Sequence, residues 1–580
     1  MMNKKIFTCI AGVSLLLSCS SSEKKEEDHV QGKHIIANPL NLNYRFQFDE
    51  PSRREAADPV LEYFKGKYYL FASKSGGYWS SPDLYEWTYI PCKTITTIEG
   101  YAPTILVHND SLYYLGSGGN PQIFKTANPD VDSWEAIDTK FHIGMTDPAF
   151  FKDDNGDVYL YWGCSDVDPI MGAKVDPADG FRVIEEPVIL IEHNTEKYGW
   201  EVPGDDNEEP RIGWNEGPCV IKHHGKYYLQ YAAPGTQYRI YGDGLYLSDN
   251  PLGPYTYVEN SPFSFKPGGF IGGAGHGHTF KDKYGNYWHI ATMKISVRHM
   301  FERRLGLFPA YLSESDNLHT HTVLTDYPFY IPNKNADFAN NDCSMSWNIL
   351  SYGKKTSASS SLIGYEPENA ADEAVETWWS AVTGDKGEWW QVDLSKEMDV
   401  NAIQVNFADH DFFIQATDMP PVYQYYIEFS SDGKTWHIMA DRRNSTKDCV
   451  HELIIPDQPV KARYVKITNA SKLAGKFSLY DLRIFGYGRG SLPEEVAEVK
   501  AERDSSDTRI IGLSWPEVKN TTGYIVRWGV KKEEMKNAEM VYTNAFKRRF
   551  FNRDTEYWFA VDAINENGVT KGTDICNVSF

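Results

Sequence analysis

Four positions in the first half of the chain could move protons together. Asp58-Pro59, Asp147-Pro148 and Glu216-Gly217-Pro218 each set a carboxylate just ahead of a proline, and Gly275-His276-Gly277 adds an imidazole. Carboxylates held close to one another cost energy unless they are used: one then keeps its proton toward neutral pH while another stays ionised. Such a pair can protonate a leaving oxygen and deprotonate an attacking water, which is the chemistry of glycosidic-bond hydrolysis. Taken singly, each position has a plain reading, because Asp-Pro is a common strand-entry turn and Asn215-Glu216-Gly217-Pro218 reads as a loop. Only the elements around them can bring them together.

Those elements repeat. Between residues 45 and 335 one unit recurs: a small residue or carboxylate, a proline, an apolar run, a turn and an aromatic strand. The copies are Asp58-Pro59-Val60-Leu61 with Tyr68-Tyr69-Leu70, Ala102-Pro103-Thr104-Ile105 with Tyr113-Tyr114-Leu115, and Asp147-Pro148-Ala149-Phe150 with Tyr159-Leu160-Tyr161. Gly217-Pro218-Cys219-Val220 with Tyr227-Tyr228-Leu229 follows, and Gly277-His278-Thr279-Phe280 with Tyr287-Trp288-His289 is a weaker fifth copy. Each carries a hairpin signal such as Lys65-Gly66 or Asn155-Gly156. Strand pairs at this spacing, with almost no helical periodicity, predict a β-propeller of five blades. Asp153-Asp154-Asn155-Gly156-Asp157 is a hairpin turn by this reading, since its glycine and missing glutamate do not fit a calcium loop. In a propeller, equivalent positions gather at one mouth of the central channel, so Asp58, Asp147, Glu216 and the His276 neighbourhood are predicted to converge.

With that register in hand, residues 45–335 resemble glycoside hydrolase family 43, a family of inverting five-bladed propellers. The matching segments are Ala57-Asp58-Pro59 before Gly66-Lys67-Tyr68-Tyr69, Thr146-Asp147-Pro148 before Tyr159-Leu160-Tyr161-Trp162-Gly163, Asn215-Glu216-Gly217-Pro218 before Gly225-Lys226-Tyr227-Tyr228, and Gly275-His276-Gly277. The resemblance implies Asp58 as general base, Glu216 as general acid and Asp147 as the group that raises the acid's pKa and orients it. It also implies that His276 holds a water or a calcium ion in the channel. His278, two positions on, is an alternative inward-facing group. Trp200 and Trp214 flank the long acidic stretch 192–214 and are candidates to stack on a sugar. Arg298, Arg303 and Arg304 are candidates to bind hydroxyls or a uronate, with solvent the expected surroundings of at least two.

Residues 345–487 resemble a discoidin domain, also called coagulation factor type C or carbohydrate-binding module family 32. The resemblance rests on Pro367-Glu368-Asn369-Ala370-Ala371-Asp372, Thr377-Trp378-Trp379-Ser380, Trp390-Gln391-Val392-Asp393-Leu394, Ser431-Asp432-Gly433-Lys434-Thr435-Trp436 and Ala462-Arg463-Tyr464-Val465-Lys466. It implies a jelly-roll β-sandwich, often with a structural calcium, with Asp409-His410-Asp411-Phe412-Phe413 a candidate sugar loop. Residues 491–580 resemble a fibronectin type III domain, an immunoglobulin-like β-sandwich with Tyr557 at the tyrosine corner, expected to act as a spacer. The fold class is therefore all-β throughout.

The chain of 580 residues carries 80 acidic against 58 basic side chains, a net charge of −22, which argues against nucleic acid as a partner. Aromatic residues make up 14%, in keeping with β-rich folds and sugar stacking. Residues 1–18 read as a signal peptide, and Leu16-Leu17-Ser18-Cys19 resembles a lipoprotein lipobox, implying acylated Cys19 as an anchor in the bacterial cell envelope, at the periplasmic face or the cell surface. Residues 19–44 are expected to form a flexible tether. The remaining cysteines are isolated, which excludes a zinc cluster and leaves one candidate disulfide, Cys343 with Cys449. The expected activity is an exo-acting inverting glycosidase releasing arabinose or xylose from plant-type glycans, as a monomer and with no cofactor required. An exo-β-galactosidase, a retaining or fructan-acting enzyme on the same fold, and an inactive glycan-binding propeller are the alternatives.

Overall fold

The computed structural model describes residues 32–414 and 421–579. Cys19 and the signal segment lie outside the described residues. Among the described residues, no helix is long and apolar enough to cross a membrane.

Five antiparallel sheets follow one another along the chain. Their first strands are Val60–Phe64, Thr104–His108, Ala149–Lys152, Asn215–His223 and Gly272–Lys281. Each of these touches the next, and the fifth touches the first, so the sheets close into a ring around an axis. The second strands carry the aromatic triplets. Ser111–Leu115 and Val158–Trp162 are buried along their whole length, because neighbouring sheets cover both of their faces. That double burial is why the repeat shows as continuous apolar runs instead of alternation.

A short strand pair lies outside the repeat. His34–Ile36 pairs antiparallel with Phe329–Ile331, and Leu40, Leu42 and Tyr44 are buried in the main core. The flexible tether expected over 19–44 is therefore ordered from His34 onward, because its apolar residues have a sheet to cover.

Residues 348–487 form one nine-stranded antiparallel system built on the long strand Trp389–Phe407, which pairs with Val460–Asn469 and Ser478–Tyr487. Cys343 and Cys449 are not joined by a disulfide. The C-terminal residues make a three-stranded sheet (Lys500–Arg503, Ile511–Ser514, Ala545–Arg548) and a five-stranded one centred on Gly523–Gly529 and Tyr557–Asn565. The Asn552 backbone N–H donates to the Tyr557 hydroxyl at 3.1 Å, closing the corner between strands.

Neither C-terminal domain hangs free. Phe265, between the fourth and fifth sheets, packs edge-on to Phe550 and Trp528, and a Cβ on Gly199 would collide with the Arg549 carbonyl. The spacer expected at 491–580 is thus packed against the ring.

Candidate functional site

The five repeat positions share a backbone peculiarity. Asp58, Ala102, Asp147, Gly217 and His276 all have positive φ, between 43° and 57°. Four of them are not glycine, and such left-handed residues are uncommon and cluster at sites where the surroundings over-determine them. Here the surroundings are the hydroxyls of the adjacent sheet. Ser73 Oγ accepts from Ala102 N at 2.7 Å, Ser117 Oγ from Asp147 N at 2.9 Å, and Thr292 Oγ1 from Asp58 N at 2.8 Å. Gly217 is needed for closeness as well as conformation: a Cβ there would lie 2.6 Å from the His276 ring. Glu216 stands one residue ahead of the repeat position, near the start of the strand Asn215–His223. It lies opposite Cys164 in the register of the fourth sheet.

Asp58, Asp147, Glu216 and His276 come together. His276 Nδ1 is 3.4 Å from Asp58 Oδ1 and 3.7 Å from Asp147 Oδ2. Asp147 Oδ2 accepts from Gly217 N at 3.3 Å. Trp214 Nε1 and the Cys164 thiol donate to Glu216 Oε2 at 2.9 and 3.1 Å, and the Tyr241 hydroxyl donates to Oε1.

The charges differ along this row. Burial works to raise the Asp58 carboxyl, but the Arg303 guanidinium, His276 and the hydroxyls of Ser73 and Thr292 outweigh it and hold Asp58 below the ordinary carboxylate range. Burial pushes Asp147 up to about 7; His276 opposes the rise, and the negative charges of Glu216 and Asp58 add to it. Burial disfavours the charged form of His276, yet the surrounding carboxylates, Asp58 and Asp147 foremost, raise its pKa. The mouth of the channel thus holds a carboxylate kept ionised, Asp58, and across His276 a carboxyl, Asp147, that keeps its proton toward neutral pH.

Several candidates lie elsewhere. Trp200 is fully buried, its Nε1 donating to the Tyr257 hydroxyl at 3.1 Å, within the core shared by the fourth sheet and the C-terminal domain. Bulk that looked available for a sugar serves packing. His278 accepts from Leu61 N at 3.4 Å, stitching the fifth sheet to the first, and burial lowers its pKa to about 4. Arg298 faces the following domain, with bonds to Glu302 and Tyr480 at 2.7 and 3.1 Å and its guanidinium over the Trp378 ring. Of the three arginines two are buried, Arg304 against His451 and Arg303 reaching Asp58 at 3.2 Å while pairing with Glu55, and Arg298 is partly exposed. In the domain 348–487, Asp409 of the candidate sugar loop is buried on Arg54, while Phe413 is exposed.

Sequence reasoning named Arg303 only as one of three arginines that could bind hydroxyls or a uronate, and missed Glu55, Tyr241 and Cys164 as members of the site. Only Cys164 had a signal, its position directly after Trp162-Gly163 at the end of an aromatic strand. Among the described residues, two side-chain groups could gather round a metal ion: Asp147, Cys164 and Glu216, and His223, His224 and Asp316. His276 is in neither, and its Nδ1 is directed at Asp58 and Asp147, so an ion on that nitrogen would compete for both carboxylates.

Comparison with known proteins agrees with this geometry. Residues 51–324 match the family model described as glycosyl hydrolases family 43, and residues 355–481 match the F5/8 type C domain. An arabinoxylan arabinofuranohydrolase of Paenibacillus polymyxa is 30% identical over 227 residues, covering 36% of this chain and 33% of that protein. A beta-xylosidase of Xylanibacter ruminicola is 29% identical over 136 residues, 19% of this chain and 39% of that protein. The chain therefore spans between a third and two fifths of the length of these two relatives. A solved structure titled as a glycoside hydrolase superposes with a TM-score of 0.44 at 19% identity, covering 75% of this chain and 99% of that one. This chain thus contains a glycosyl hydrolases family 43 domain followed by an F5/8 type C domain.

Proposed function

We propose that the ring is a five-bladed propeller working as an inverting, exo-acting glycoside hydrolase that releases arabinose or xylose from plant-type polysaccharides or oligosaccharides. The observation that carries this reading is the contrast within one pocket: Asp58 is held ionised by Arg303, whereas Asp147 is pushed up to about 7 beside Glu216. Asp58 then takes the proton of an attacking water, and Glu216 delivers one to the departing oxygen with Asp147 holding its acidity in range. His276 acts as a cation between Asp58 and Asp147, and the reaction asks for no cofactor. Trp214 beside Glu216, and Phe301 with Tyr101 beside Arg303, are half-buried rings placed to meet a sugar face. The matched relatives named for arabinofuranohydrolase and xylosidase activity support the choice of sugar.

The test is a panel of aryl arabinofuranosides, xylosides and galactosides together with plant glycans, with the first anomer released followed by proton NMR. Release of arabinose or xylose with inverted configuration is expected. Retention of configuration, or turnover of galactosides alone, would overturn the reading.

Two further assignments belong to it. The C-terminal sandwich is a fibronectin type III domain, supported by its three- and five-stranded sheets and the Tyr557 corner. The protein is a monomer held at the bacterial envelope by lipid on Cys19, supported by the lipobox sequence. Cys19→Ala should move it from the membrane fraction to the soluble one; unchanged fractionation would count against the anchor.

A further inference from the structure

A second cluster of ligand-type side chains lies at the far end of the strand that carries Glu216. His223 ends the strand Asn215–His223, and His224 occupies its hairpin turn. Seven residues of extended chain, about 23 Å, separate His223 from Glu216, so this cluster sits on the opposite face of the ring from the carboxylates. Facing it is Asp316, in the turn between Arg303–Leu312 and Leu318–Thr320 of the fifth sheet.

Three atoms converge. His224 Nδ1 is 3.0 Å from Asp316 Oδ1, and His223 Nε2 is 3.7 Å from the same oxygen. All three ligand atoms lie within 4.8 Å of one another. A tetrahedral ion with bonds of about 2.0–2.1 Å holds its ligand atoms about 3.3 Å apart, and the two measured separations fall on either side of that value. The longer one exceeds a hydrogen bond, so His223 Nε2 faces a carboxylate oxygen without bonding to it. The ring is fixed from behind: His223 Nδ1 lies 3.2 Å from the Tyr287 hydroxyl, the outer partner that metal-binding imidazoles characteristically have. Lys281 is turned onto the Tyr287 ring, 4.7 Å from its centre. His224 and Asp316 are 70% and 43% exposed on their side chains, leaving the fourth position open to water.

We propose that His223, His224 and Asp316 bind a divalent transition-metal cation of the zinc class, which ties the fourth and fifth sheets together on the face away from the carboxylate cluster. Two imidazole nitrogens and one carboxylate suit zinc or cobalt and fit poorly with calcium or magnesium, which take oxygen ligands.

The full chain, stripped with a chelator, is titrated calorimetrically with zinc chloride, and separately with cobalt chloride while the visible absorption of tetrahedral cobalt is followed. One equivalent should bind, with the cobalt band appearing and the melting temperature rising by several degrees. His224→Ala and Asp316→Asn, both at exposed positions and the second keeping a residue that tolerates left-handed backbone, should each lose that equivalent and the band. Glycosidase activity, measured without added metal, should be unchanged in both, since neither touches the carboxylate pocket. Absence of binding to the parent protein would overturn the proposal. So would an unchanged equivalent in both variants, which places the ion elsewhere, or equal stabilisation by calcium, which marks an oxygen site.

Discussion

Two histidines sit among buried charges and are driven in opposite directions. At the channel mouth, His276 is opposed by burial but surrounded by Asp58, Asp147 and Glu216, and its pKa rises. At the seam with the discoidin-type domain, His451 is driven well below its usual value by burial and by Arg304 and Arg54. The seam is matched: Arg54 meets Asp409 and Asp448 at 2.9 and 2.6 Å, and Arg304 Nε lies against His451 Nε2, whose ring partner is Asn406 at 2.8 Å. The mouth is mismatched, with four carboxylates, Asp58, Asp147, Glu216 and Glu55, against the guanidiniums of Arg53 and Arg303 and one imidazole. Matched charge fixes two domains to each other; mismatched charge leaves a proton to move. The two regions are joined by sequence neighbours: Glu55 and Arg303 face the mouth, Arg54 and Arg304 the seam, because successive residues of a strand point to opposite sides.

The largest expected effects are at the mouth. Asp58→Asn should lower turnover of every substrate by about 10²–10⁴-fold, since every substrate needs an activated water. Glu216→Gln should cost as much on natural glycans and far less on dinitrophenyl glycosides, whose phenolate leaves without a proton. The reverse pattern in steady-state kinetics would exchange the two roles.

Paired arginine variants would break the comparison itself. Arg54→Met leaves two buried carboxylates unpaired and should cost about 3–5 kcal/mol of stability, read by denaturant unfolding, with the pH–rate profile unmoved. Arg303→Met removes the guanidinium that favours ionised Asp58, so the acid limb of that profile should move to higher pH. A shifted limb in Arg54→Met alone would show that the seam, not the mouth, sets the base.

Asp147→Asn sharpens the view of the mouth. The substitution removes the carboxyl whose pKa stands at about 7, so the alkaline limb of the pH–rate profile should move. An unmoved limb would mean that Asp147 serves orientation alone.

The smallest effect is on stability. His451 stays neutral in the fold, so its contribution is complete above the unfolded value of 6.5 and is lost as pH falls and the unfolded chain takes the proton. Thermal melts between pH 7 and 5 should show His451→Gln lacking part of the acid slope, at most about 1.4 kcal/mol per pH unit. His276 works with the opposite sign: its contribution is present below 6.5 and is lost as pH rises through its elevated value.

Much of this was legible in the chain itself. The aromatic triplets and the prolines behind Asp58, Asp147 and Gly217 announce a repeat because the same strand pair is buried between the same kinds of neighbours each time. That periodicity placed Asp58 and Asp147 in one register and brought Glu216, one residue earlier, and the neighbourhood of His276 to the same mouth. It could not separate Arg303 from Arg298 and Arg304, nor tell that Trp200 packs inward and Trp214 toward Glu216, because each depends on which side of a backbone a single residue leaves and on what a distant segment brings to meet it. It could not foresee the ordered segment at His34–Ile36 either, whose partner strand lies nearly three hundred residues away. What the sequence determined by itself was the repeat, its register and the acids placed on the axis, since periodic burial writes itself into residue order. Only the tertiary structure decided which charges are matched and which are left in excess, since a pKa is set by the sum of all neighbours, and neighbours are chosen by packing.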